Sequence, residues 1–140
     1  MSLLEQVYRE VIMERSRRPR FRGEAEPVTH RQEGLNPSCG DELTLTLSVA
    51  DGRIGQARFT GQGCAISQAS ADLMSEAVTD LSPAEALLLS ERFRAFIRGE
   101  DDGEGLGDLQ ALAGVRQLHA RVKCATLAWT TLDGALVTER

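Results

Sequence analysis

The sequence predicts an α+β domain, a small antiparallel β-sheet of about three strands packed against several α-helices. Three observations carry that expectation. Leu43, Leu45, Leu47 and Val49 alternate with Thr44, Thr46 and Ser48, the period-two pattern of a half-buried strand. Asp51-Gly52 follows as a hairpin signal, and RIGQARFT supplies the return strand. On either side of this hairpin the apolar residues recur at helical spacing instead.

Taken in order, LLEQVYREVIMERS sets Leu4, Val7, Val11 and Ile12 on one helical face and ends where Pro19 and Gly23 break the pattern. A short strand is expected around PVTHRQ. After the hairpin, GQGC delivers the chain to Cys64, and CAISQASADLMSEAV reads as a helix with Ile66, Ala69, Leu73 and Ala77 along one stripe. In the next helix Ser82 and Glu85 form a capping-box pair around Pro83 at the first helical position. GEDDGEGLGD is expected to be an exposed, mobile acidic connection, and DLQALAG one or two helical turns capped by Asp108 and stopped by Gly114. KCATLAWTTLDGAL closes the chain as a helix with Ala125, Ala128, Leu132 and Leu136 at helical spacing.

At 140 residues the chain suits one domain, 1–140, able to bury a core without disulfides. The net charge of -5 argues against nucleic acid as the main partner, because phosphate binding needs a surplus of cations. No apolar run reaches transmembrane length, and the first residues lack the apolar core of a signal peptide. The expectation is a cytoplasmic protein with no membrane partner. Seven arginines fall within residues 1–31, either a solvated basic face or a docking surface for an acidic partner.

The three cysteines, Cys39, Cys64 and Cys124, are widely separated, an odd set that argues against a disulfide framework. Cys39 falls in the turn entering the hairpin, and Cys64 and Cys124 are each expected at a helix start, where the macrodipole favours the thiolate. Gly40 separates Cys39 from Asp41, so both side chains could turn toward one point. Three thiolates and a carboxylate make the four ligands of a tetrahedral zinc site, with Arg121 and Lys123 as cations to offset their charge. There is no CxxC pair, and spacing alone leaves a metal site and three unrelated cysteines both open.

The motifs NPSCGD, GQGCAISQASADLM and RVKCATLAW, in that order, resemble those of the U-type iron–sulfur cluster assembly proteins, and of the SufU branch in particular. The resemblance begins at VYREVIMERSRRPRFRG and includes the acidic loop with LGDLQALAGV, the extra segment that separates SufU-like from IscU-like chains. IscU-like proteins also carry a histidine before the last cysteine, where this chain has Lys123. The resemblance implies a SufU/IscU-like fold and zinc held by Cys39, Asp41, Cys64 and Cys124. It further implies that Cys39 accepts persulfide sulfur from a PLP-dependent, SufS-type cysteine desulfurase, one of whose histidines can replace Cys39 on the metal. The sulfur then passes to a downstream Suf cluster scaffold. Arg121 corresponds to a cation beside the site.

His119 stands where most relatives would have proline; a surface or capping role is expected for it and an exposed strand position for His30. The competing reading is a scaffold that assembles an iron–sulfur cluster on the same ligands, since thiolates hold zinc, iron or a cluster. A purely structural zinc domain would be better served by four cysteines, and a Cys-His hydrolase would need a histidine in a recognisable motif.

Overall fold

The computed structural model describes residues 2–137. Helix α1 (Leu3–Arg17) starts at Ser2, whose side chain accepts from the Glu5 N–H. Strands β1 (His30–Asn36), β2 (Asp41–Ala50) and β3 (Arg53–Gln62) form one antiparallel sheet in the order β1-β2-β3. Helices α2 (Ala65–Val78) and α3 (Pro83–Ile97), a 3-10 helix (Gly107–Gln117) and α4 (His119–Ala135) complete the fold. The expected three-stranded α+β architecture is what the chain adopts.

The Asp51-Gly52 turn has φ of 55° and 75°, the positive pair that a type I′ hairpin requires. Strand β1 lies later than the expected 27–32, because it is the first arm of a second tight hairpin. Asn36 pairs with Asp41 across residues 37–40, and Pro27, lacking an N–H, is left outside the ladder. Strand β2 differs too: Thr46 and Ser48, on the expected solvent face, are buried. The segment between α1 and β1 covers that face, with the Ala25 N–H donating to Thr46 Oγ1 at 2.9 Å and the Val49 N–H to Thr29 Oγ1 at 2.8 Å.

The other face of the sheet carries Leu43, Leu45, Leu47, Ala57 and Phe59 into a core shared with α2, α3 and α4. Trp129 of α4 stacks on Phe93 of α3 with centroids 4.6 Å apart. Ser70 of α2 donates to the Ala125 carbonyl at 2.6 Å and accepts from Trp129 Nε1 at 3.3 Å, so the two cysteine-bearing helices are pinned side by side. Gly34 lets α4 lie directly on β1: a Cβ there would overlap Thr131 Oγ1 and stand 3.2 Å from Leu127.

Three expectations are corrected by packing. Arg15 does not belong to a solvated basic face; it is 2% exposed and ion-paired with Asp72 (0%) of α2 at 2.7 Å and with Glu76. The acidic connection is anchored, with Arg92 paired to Asp101 at 3.0 Å and Asp101 accepting from the Gly103 N–H at 2.7 Å. Arg92 first, then that N–H, hold the Asp101 carboxyl below the usual carboxylate range. Asp108 is not a cap: the 3-10 helix starts after Leu106 and runs through Gly114, because Leu109, Leu112 and Val115 bury against the core.

Candidate metal centre

The two hairpins and two helices meet at one end of the sheet. The β1–β2 turn presents Cys39, the first residue of β2 is Asp41, and β3 ends at Gln62, two residues before Cys64. Cys64 is the N-cap of α2, as expected of a cysteine at a helix start, and its side chain makes no capping hydrogen bond there. Cys124 is displaced from its expected place. Helix α4 begins at His119, so Cys124 lies in the second turn, wholly buried, and the macrodipole argument fails for it. No capping side chain marks that start, since the residue before it is Leu118.

Cys39, Asp41 and Cys124 offer ligand atoms within 4.8 Å of one another. Cys64 is outside that group, and its backbone N–H is tied to it through Asp41 Oδ1 at 3.0 Å. Burial first, then the neighbouring Cys39, Asp41 and Cys64 side chains, push the Cys124 thiol far above the ordinary range. The Arg121 guanidinium faces the same sulfurs: its hydrogen bond to Cys124, then the charges of Cys64, Cys124 and Cys39, raise its pKa. His30 begins β1 beside Thr29, 2.8 Å from its hydroxyl, and His119 is an exposed first residue of α4; neither is in the group.

Sequence reasoning missed what holds Asp41. Its carboxylate is 1% exposed and accepts three hydrogen bonds. The Cys64 N–H and Ser67 hydroxyl donate to Oδ1 at 3.0 and 3.2 Å, and Asn36 Nδ2 donates to Oδ2 at 3.2 Å. Asn36 belongs to the quoted NPSCGD motif, and only its pairing across the turn reveals its role. Gly63 completes the cradle: a Cβ there would overlap Ser67 Oγ and stand 2.5 Å from Asp41 Oδ1. Gly63→Ala is therefore expected to displace Asp41 and weaken metal retention about tenfold or more, read as zinc remaining after dialysis against a chelator.

The donor set fits a thiophilic divalent ion. Soft sulfurs and one carboxylate converge, the hard ligand is pre-oriented by hydrogen bonds, and a cation offsets their charge. The fold and this cluster define a class: a small α+β protein that presents a cysteine–aspartate cluster able to hold a metal ion at the hairpin end of its sheet.

Comparison with known proteins specifies the class further. Residues 7–137 match the family model described as the NifU-like N terminal domain, and the chain belongs to that family. It is 42% identical to an iron–sulfur cluster assembly scaffold protein IscU of Thermotoga maritima, over 96% of this chain and 95% of the relative. It is 38% identical to a zinc-dependent sulfurtransferase SufU of Bacillus subtilis, over 97% and 93%. A crystal structure described as the putative SUF-system scaffold protein SufU of Fervidobacterium islandicum superposes with a TM-score of 0.87 at 38% identity, covering 94% of this chain and 98% of that one. These matches bear out the resemblance carried by the three cysteine motifs and the fold it implies.

Proposed function

We propose that the chain is a zinc-dependent sulfur carrier of iron–sulfur cluster biogenesis. In this reading it takes persulfide sulfur from a PLP-dependent, SufS-type cysteine desulfurase onto Cys39 and hands it to a downstream Suf cluster scaffold in the cytoplasm. One observation carries it. Of the three converging ligand residues, Asp41 and Cys124 are buried, whereas Cys39 is partly exposed on a turn, next to Gly40 at φ 71°. A nucleophile that must leave its ligand position and meet a partner's persulfide belongs there. No described helix is long and apolar enough to cross a membrane.

Asp41 and Cys124, with Cys64 at the N-cap of α2 as a further thiolate, would hold the metal when Cys39 leaves it. Bound zinc would supply the charge that keeps the cysteines as thiolates at neutral pH without redox chemistry of its own. The Cys39 thiolate attacks the outer sulfur of the donor persulfide. A new S–S bond forms at Cys39, the donor's S–S bond breaks, and the donor cysteine leaves as a thiolate, so the electron count is unchanged. Arg121, facing the three sulfurs, compensates the negative charge that gathers as two anions approach.

A cluster scaffold on the same ligands is the second reading, favoured by the IscU relative of Thermotoga maritima. Metal analysis of the protein as purified separates the two. The carrier reading expects about one zinc per chain and no stable chromophore after anaerobic incubation with iron and sulfide. A cluster that forms under those conditions and transfers to an apo-protein would replace it with the scaffold reading.

A further inference from the structure

Asp41 and Cys124 share one neighbour. Asn36, the last residue of β1, is 4% exposed, pairs with Asp41 across the hairpin and lies against α4. Its single Nδ2 group donates to Asp41 Oδ2 at 3.2 Å and stands 3.8 Å from Cys124 Sγ, within reach of a sulfur acceptor. That nitrogen has two hydrogens, one for each of the two ligands. Cys39 is placed differently. Its Sγ meets the Ala120 carbonyl at 3.7 Å, an acceptor that gives no support to a thiolate. The cluster is therefore asymmetric, with two ligands tied to one amide and a third in a turn against an acceptor.

We propose that Asn36 is a positioning residue for the metal centre. Its amide holds Asp41 and Cys124 together as a fixed platform, so that the metal is retained while Cys39 departs to take up sulfur. The proposal deepens the carrier reading and rests on it for the departure of Cys39. The amide suits the position because it is a neutral donor among groups that are all anionic when metal-bound. A carboxylate of the same shape would be a further charge beside Asp41, and an apolar residue would leave Asp41 Oδ2 without this donor.

The experiment compares wild type with Asn36→Ala and the isosteric Asn36→Asp, all loaded with zinc and challenged with a chromogenic chelator. Both variants are expected to release zinc about 10- to 100-fold faster than wild type, the usual cost of removing a group that orients metal ligands. Release should rise further when a SufS-type desulfurase and cysteine are added, because Cys39 is then drawn from the site. Cobalt-loaded Asn36→Ala supplies a readout that a loss of stability alone would not move. With the hydrogen bond to Cys124 gone, the sulfur-to-cobalt charge-transfer band should shift to the red. Should Asn36→Ala misfold, Asn36→Asp, which has the native shape, gives the same release measurement. Wild-type release rates in the folded variants, or an unshifted band in Asn36→Ala, would overturn the proposal. Failure of wild type to take up sulfur on Cys39 would instead remove the carrier reading, leaving the resting chelator comparison as a test of Asn36.

Discussion

Cys39→Ala is expected to abolish the several-fold stimulation that the protein gives to a cognate cysteine desulfurase, read as the rate of alanine formation from cysteine. Without the sulfur of Cys39 the donor persulfide has no acceptor on the partly exposed turn. Cys64 is the competing candidate, since it is also partly exposed. It is the N-cap of α2, however, and its backbone N–H is engaged by Asp41 at 3.0 Å, so its position is set by the helix it begins. Cys124 is wholly buried and out of reach. Cys39→Ala retains Asp41, Cys64 and Cys124, and partial metal content alongside lost stimulation would separate loss of the acceptor from loss of the fold. Stimulation equal to wild type would end the relay mechanism.

The second large effect is on stability. Arg15→Met removes a guanidinium that is 2% exposed and leaves Asp72, 0% exposed, with a carboxylate whose remaining donor is the Phe21 N–H at 2.8 Å. Burial by itself disfavours a charged Arg15, but the hydrogen bonds to Asp72 and Glu76 outweigh it and raise its pKa. Breaking a buried pair from one side costs about 3–5 kcal/mol, because the partner's charge stays inside uncompensated. With a urea slope of about 2 kcal/mol per M, the unfolding midpoint should fall by roughly 2 M. Adding Asp72→Leu removes the stranded charge and should recover part of the loss. A midpoint within about 0.3 M of wild type, less than a sixth of that fall, would show that α1 is held by its apolar face alone.

The hairpin, the capping box of α3 and Cys64 at a helix start were legible because each rests on local chemistry: period-two alternation, an Asp-Gly turn, a Ser-Pro-x-Glu start. Strand β1 was misplaced because its position depends on a turn whose partner is in β2, and NPSCGD carries no two-residue hairpin signal. The start of α4 was invisible for want of a cap, which put Cys124 at a terminus rather than inside a buried turn. Arg15 looked like the other arginines of its segment, since nothing local distinguishes one that finds Asp72 some 57 residues away. The cysteines and Asp41 could be named from three motifs, whereas Asn36 and Ser67 act on Asp41 from residues with no motif chemistry of their own.

The central claim is that Cys39 is the sulfur acceptor. Its most direct test is to incubate the zinc-loaded protein anaerobically with a SufS-type desulfurase and cysteine, block free thiols and persulfides, and locate the added sulfur by peptide mass spectrometry. The account predicts one extra sulfur atom on the peptide containing Cys39 and none on those containing Cys64 or Cys124. Sulfur found on Cys64, or a cluster in place of any persulfide, would contradict it.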